Sequence, residues 1–291
     1  MSRFTAAMAA IAIAFAAGCA HEGKTGAASA AAVAAPDAAL QAAIAGEWRG
    51  EANRARDAAR HPAETLAFFG LKPGMTILEV APGGGWWTEI LASYARSTGG
   101  RYLATGADLS NPNLPESAKT ARANFAARWA AKPEIFGTVE IVNFGPQSGP
   151  LGPPNSVDMV MTTRNVHNFM AQGTTDKVFA DFYAVLKPGG VFAVKEHRAS
   201  PGPQDPQSAS GYVTEAHVIA AAEKAGFRLA GRSEINANPR DTKDHPFGVW
   251  TLPPVRRSAP QGQPANSAFD HTRYDAIGES DRMTLRFVKP G

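Results

Sequence analysis

Apolar residues in this chain gather into short runs bounded by Gly, Pro and Asn, and between those runs they recur at helical spacing. The runs at 76–80, 101–105, 137–144, 157–162, 191–195, 227–235 and 283–288 predict strands. Residues 157–162 are mostly apolar on both sides, which places that strand in the middle of a sheet covered on both faces. Helical spacing appears at 88–94, 118–130, 175–186 and 214–225. His61-Pro62-Ala63-Glu64 opens a further helix, with Pro in its first turn, that Gly70 closes. Strand and helix alternate, so the pattern predicts one α/β domain. Residues 236–281 break the alternation; rich in Pro, Asn and Gly, they predict an insertion over one face.

Leu78-Glu79-Val80-Ala81-Pro82-Gly83-Gly84-Gly85-Trp86 leaves a buried strand through a carboxylate, turns on glycines and enters a helix. Glycines permit the sharp turn and let a ligand reach main-chain N–H groups; the helix start adds a positive dipole end, and the carboxylate accepts hydrogen bonds. The same residues also suit a tight turn that binds nothing. Asp108, 29 residues beyond Glu79, lies just past the second strand. A βαβ unit holds a ribose hydroxyl there, and a plain turn also favours Asp. Arg164-Asn165-Val166-His167 follows the fourth strand and Glu196-His197-Arg198 the fifth, at the edge where open α/β sheets bind ligands. His167 reads either as a base or as a satisfied histidine at a helix start.

The 291 residues carry a net charge of +3 with no basic run, which excludes a nucleic-acid binder. The amino terminus changes the picture more. Arg3, an apolar stretch from Ala6 to Ala17 and small residues before Cys19 predict an export signal over 1–19, too short for a spanning helix. Ala16-Ala17-Gly18-Cys19 resembles the bacterial lipoprotein box, departing from it at Ala16, where leucine is usual; ordinary cleavage after Ala14-Phe15-Ala16 is the alternative. Cys19 is the only cysteine, so there is no internal disulfide, and a lipidated Cys19 would be the sole membrane attachment. Residues 20–45, mostly Ala and Gly, are expected to tether this anchor to a domain at 46–291, although 37–45 also suit an alanine-rich helix. The expected address is the periplasm, on a lipid anchor.

The order of these features resembles class I S-adenosylmethionine-dependent methyltransferases. The resemblance is carried by the ExAxGxG run from Glu79 to Gly85, the acid at Asp108, the strand ending near Asn165-Val166-His167, and Leu186-Lys187-Pro188-Gly189-Gly190 before a strand. More narrowly, His61-Pro62-Ala63-Glu64-Thr65-Leu66, Leu71-Lys72-Pro73-Gly74-Met75, Pro82-Gly83-Gly84-Gly85-Trp86, Ala225-Gly226-Phe227 and Leu285-Arg286-Phe287 are similar to exported bacterial predicted methyltransferases. The resemblance implies a Rossmann-like, doubly wound, mostly parallel seven-stranded sheet with a terminal antiparallel hairpin. It also implies S-adenosylmethionine as cofactor and methyl transfer to a small-molecule acceptor.

By the same resemblance, Glu79, Ala81, Gly83 and Gly85 cradle the methionine part of the cofactor and Asp108 accepts from its ribose. Asn165 and Val166 line the place where cofactor and acceptor meet, with His167 the first choice of base beside Glu196 and His197. The family usually has glycine at the position of Ala81, and an acid after the third strand for the adenine amino group. Here Asn143-Phe144-Gly145-Pro146-Gln147 stands there, with Asn143 or Gln147 as substitute acceptors. A non-catalytic exported binding module that keeps the fold is the rival reading. A metal site from His167, Glu196, His197 and His245 ranks last, because adjacent Glu196 and His197 alternate faces of a strand.

Overall fold

The computed structural model describes Met1 and residues 37–291; the signal expected at 1–19, Cys19 and most of the expected tether lie outside them. The predicted strands all form: β1 (Thr76–Val80), β2 (Arg101–Ala107), β3 (Val139–Phe144), β4 (Val157–Thr163), β5 (Leu186–His197) and β6 (Arg228–Ser233). A short β7 (Pro246–Val249) lies outside the sheet, and β8 (Arg282–Val288) closes the chain. The sheet has seven strands in the order β3-β2-β1-β4-β5-β8-β6. β1 to β5 pair in parallel, and β8 runs antiparallel to both β5 and β6. This is the Rossmann-like, doubly wound architecture, and its order reverses between β1 and β4, where such sheets bind ligands.

The period-two pleat sorts the core into two layers. Leu78, Val80, Phe192 and Val194 pack on one face with Val178, Phe179 and Phe182 of α9 (Thr175–Val185). Ile77, Met159, Met161 and Ala193 pack on the other with Ile90 and Leu91 of α5 (Thr88–Thr98) and with Leu66 and Phe69 of α4 (Pro62–Phe69). The same alternation aims Glu79 and Lys195 into the α4–α5 layer and Glu196 into the other. Both charged groups of the first layer are 2% exposed, so the pleat alone has buried two ionisable side chains near the strand tips.

Ahead of α4 lie α1 (Ala38–Ala45), α2 (Glu51–Arg54) and α3 (Asp57–Arg60). The alanine-rich stretch is thus helix from Ala38, capped by Asp37, whose carboxylate accepts from Leu40 N at 2.8 Å and from Tyr94 Oη at 2.7 Å. Leu40 and Ala43 are buried, so this last part of the expected tether packs as part of the α/β unit. α6 (Glu116–Ala130) and α7 (Pro133–Phe136) connect β2 to β3, α8 (Val166–Ala171) follows β4, and α10 (Glu215–Lys224) precedes β6.

Leu186-Lys187-Pro188-Gly189-Gly190, expected as a turn, is the bulged start of β5. Leu186 pairs with Val157, and the next pair is Val191 with Met159. Residues 236–281, which include β7 and α11 (Thr272–Ile277), do not simply cover a face. They reach the carboxyl end of β5, where Ser280 and Asp281 meet His197 and Arg198.

Candidate functional site

The cofactor and base candidates Glu79, Asp108, Asn165, His167, Glu196 and His197 lie on the carboxyl edge of four adjacent strands, β2, β1, β4 and β5. Glu79, at the end of β1, is held below the start of α5: its Oε2 accepts from Tyr102 Oη at 2.5 Å and from Thr88 Oγ1 at 3.0 Å. Burial raises its pKa to about 7, against the pull of those two hydrogen bonds. Part of its capacity is therefore spent bracing β1, β2 and α5.

The turn that follows divides by residue. Ala81 stands at φ 46°, a left-handed conformation that suits glycine, while its N–H donates to Thr105 Oγ1 at 2.7 Å. Gly85 is required by packing, since a Cβ there would lie 2.3 Å from Trp129 Cζ2. Gly83 and Gly84 are exposed, and a Cβ at either would meet nothing within 4 Å. They are the residues of this turn that present bare backbone to the strand-tip side, as a close-approaching ligand needs. Arg128 fixes the turn from behind, donating to Gly84 O and to Glu89 Oε1, both at 2.7 Å.

Asp108 forms an Asx turn, accepting from Ser110 N at 3.0 Å and Ser110 Oγ at 2.6 Å. These bonds hold its carboxyl below the usual range. Both fall on Oδ1, so Oδ2 keeps its acceptor capacity, and the turn-forming and ribose-holding readings are compatible. Asn143 is less available, because its Oδ1 accepts from Arg122 Nη1 at 2.6 Å. Gln147, the other substitute for the missing acid, is exposed.

Across the sheet's switch point, Asn165 donates from Nδ2 to Val80 O at 3.0 Å and so ties the end of β1 to the start of α8. His167, 6% exposed, sets Nδ1 3.0 Å from Glu196 Oε1. Glu196 accepts from Val166 N at 2.6 Å and from His197 N at 2.7 Å, so its carboxylate is pinned by backbone before it meets the imidazole. A carboxylate on Nδ1 leaves Nε2 of His167 as the acceptor, which is the tautomer a general base needs.

His197 is drawn into the same corner, its ring 5.5 Å from that of His167 and its Nδ1 2.6 Å from Ser280 Oγ. The expectation that Glu196 and His197 point apart is corrected. Glu196 turns back onto the N–H of its own neighbour at the strand's last residues, and His167, Glu196 and His197 bring ligand atoms within 4.8 Å of one another. His245 does not join them; it pairs with Asp241 at 2.8 Å in the 236–281 segment. The three converging residues have the donors for a metal, yet Arg282, Arg164 and Arg60 surround them. With burial first and those guanidinium groups after it, the His197 pKa lies well below its ordinary value. A positive field of that kind opposes a bound cation and keeps the imidazole neutral.

Trp86, Trp87 and Phe169, close to the turn and to α8, are buried. What the sequence reading missed is the charge beside them. The guanidinium of Arg60 lies over Trp86 at 4.7 Å and the Lys195 ammonium over Trp87 at 4.7 Å. A cavity of about 400 Å³ lies elsewhere, beside Trp48, Asn53, Glu89 and Trp129 behind the turn.

A family described as methyltransferase domain matches residues 78–194. No curated protein matches the chain. Among solved structures, the [4+2]-cyclase SpnF superposes with TM-score 0.53 at 18% identity, over 86% of this chain and 92% of that one. A proposed sarcosine dimethylglycine methyltransferase from Galdieria sulphuraria gives TM-score 0.50 at 14% identity, over 82% and 88%. A SAM-dependent methyltransferase from Aquifex aeolicus gives TM-score 0.46 at 21% identity, over 62% and 87%. The matched segment runs from β1 into β5, the five parallel strands, and includes Glu79, Asp108, Asn165 and His167 but ends before Glu196 and His197. Residues 78–194 are thus similar to a methyltransferase domain, and the α/β unit shares its fold with these solved structures.

Proposed function

We propose that this chain transfers a methyl group from S-adenosylmethionine to a small-molecule acceptor, with His167 taking the acceptor's proton. The observation that carries the reading is the Asn165 bond to Val80 O, which locks the glycine turn of β1 to the loop where His167 leans on Glu196. When bound, the cofactor supplies a sulfonium methyl group open to in-line displacement. Gly83 and Gly84 would receive its amino-acid end, and Asp108 Oδ2 would accept from a ribose hydroxyl. His167 would accept the proton of an alcohol or amine acceptor at Nε2 while Glu196 holds Nδ1 and steadies the imidazolium that results.

Calorimetric titration of the full chain with S-adenosylmethionine and S-adenosylhomocysteine tests the reading. Saturable heat is expected, and Asp108→Ala should weaken the affinity by about tenfold, the equivalent of one good hydrogen bond. Equal affinities would remove the ribose assignment. No heat with an unchanged melting temperature would leave only a binding module on a methyltransferase fold. We extend the proposal to the amino terminus: export and lipidation at Cys19 predict palmitate label in expressing cells that Cys19→Ser loses.

A further inference from the structure

The carboxyl edge of β4 and β5 carries more positive charge than the protein itself neutralises. Arg56, Arg60 and Arg282 share one carboxylate, Glu279, with Arg56 Nε at 2.8 Å, Arg60 Nε at 3.1 Å and Arg282 Nη2 closer still. The Arg164 guanidinium makes no hydrogen bond or ion pair among the described residues. Lys195 has only long contacts, at 3.4 Å to Arg60 O and to Asn236 Oδ1. Five cations thus face two carboxylates, Glu279 and Glu196, and both oxygens of Glu196 are already committed to Val166 N, His197 N and His167.

Three of these cations are buried, and Arg56 and Arg164 are half-buried. Arg60 is 2% exposed, Arg282 1% and Lys195 2%. Arg60 Nη2, Arg56 Nη2 and Arg282 Nε are buried donors without a partner. An unpaired buried charge is destabilising, and an unsatisfied buried donor adds to that. Such an arrangement is stable in a folded chain when something outside the chain completes it, and the missing component here is an oxyanion with several acceptor atoms. Burial first, with mutual repulsion added and Glu279 opposing, lowers the pKa of Arg60 to about 9 and of Arg164 to about 10 and pushes Lys195 well below its ordinary value.

We propose that Arg60, Arg164, Lys195 and Arg282 form a subsite for the carboxylate or phosphate group of the methyl acceptor. The inference rests on the methyl-transfer reading and adds the acceptor's chemical class to it. Placement favours the acceptor. Arg164 N donates to Lys195 O at 2.7 Å, joining the tips of β4 and β5, and His167 lies one short turn beyond Arg164. An acceptor anchored there by its anion would hold its nucleophilic end toward His167. Guanidinium groups suit planar or tetrahedral oxyanions because they offer paired donors.

The test uses inorganic phosphate as probe, against chloride at matched ionic strength, on the full chain and on Arg164→Gln and Lys195→Met. Phosphate should raise the melting temperature of the wild type in a saturable way. Either substitution should weaken that response at least tenfold. Without phosphate both variants should melt no lower than wild type, since Lys195 is a buried charge with only long contacts and Arg164 a half-buried charge with no ion pair. Phosphate should leave S-adenosylhomocysteine affinity within about twofold, as separate subsites require.

No phosphate response beyond chloride, with S-adenosylhomocysteine still bound, would overturn the subsite and spare the cofactor reading. Competition with S-adenosylhomocysteine, together with an Arg164→Gln defect absent for methylthioadenosine, would assign these groups to the cofactor's own carboxylate and overturn the proposal. A phosphate response that Arg164→Gln abolishes, in a protein with no affinity for S-adenosylhomocysteine, would keep the anion site and remove methyl transfer.

Discussion

Ala81 and Glu79 sit two residues apart at the head of the same turn, and each holds a state its chemistry resists. A left-handed φ of 46° places the Ala81 Cβ against backbone, a strain of roughly 1–2 kcal/mol that glycine would not feel. Glycine's larger entropy loss on folding offsets part of this, so Ala81→Gly should stabilise by up to about 1 kcal/mol, read as a higher urea midpoint at unchanged slope. Glu79 makes a prediction in pH. Its folded pKa, raised by burial to about 7, exceeds the unfolded value of 4.5. The protonated form is the one the fold prefers, so the contribution is full below pH 4.5 and is lost as pH rises through about 7. That window corresponds to a loss on the order of 3 kcal/mol. Glu79→Gln cannot titrate, and its stability curve should stay flatter than wild type between pH 4.5 and 7; parallel curves would show that Glu79 stays ionised throughout.

The strand-to-helix turn, as an element, mixes ligand and packing demands that alanine can separate. Gly85→Ala puts a Cβ at φ 79° within 2.3 Å of a buried indole and should cost roughly 2–4 kcal/mol, seen in the denaturant midpoint. Gly84→Ala meets nothing within 4 Å and should fold normally, yet lose affinity for S-adenosylhomocysteine because its methyl stands where the ligand approaches. Unchanged affinity in Gly84→Ala would move the cofactor away from this turn. The turn and its flanking elements were legible in the sequence because hydrophobic periodicity switches there from two to about 3.6 residues, and β1 falls on the residues the pattern marks. The bulged start of β5 was not legible: Pro188 and the glycines spell a turn, and only the pairing of Leu186 with Val157 reveals a strand. The cationic subsite was also invisible, since Arg60, Arg164, Lys195, Arg282 and Glu279 come from stretches far apart in sequence that only the sheet order brings together. The alternation argument against Glu196 and His197 meeting fails for a related reason, as the pleat governs where side chains leave a strand but not how its last residues fold back.

At the scale of the whole molecule, the fold is braced from both ends of the described chain. The 236–281 segment closes over β5, its Asp241 gathering Tyr212, His245 and the Asp281 N–H, and Asp281 in turn pairs with Arg198. At the other end α1 lies on α5, the helix that carries the glycine turn. Leu40 buries its side chain there, worth about 1.5–3 kcal/mol, and the Tyr94 Oη bond to Asp37 Oδ2 adds about 1 kcal/mol. Relative to a chain shortened to begin at Ala32, one that begins at Gly46 should therefore lose roughly 3 kcal/mol, with the loss concentrated in α5. Amide exchange would locate it: faster exchange in α5 with β4 and β5 unchanged is the expected pattern. Equal stability of the two shortened chains would mean that α1 belongs to the tether after all. Because α5 starts at the glycine turn, the same truncation should weaken S-adenosylhomocysteine binding, and Leu40→Ala in the full chain should reproduce both effects at smaller amplitude.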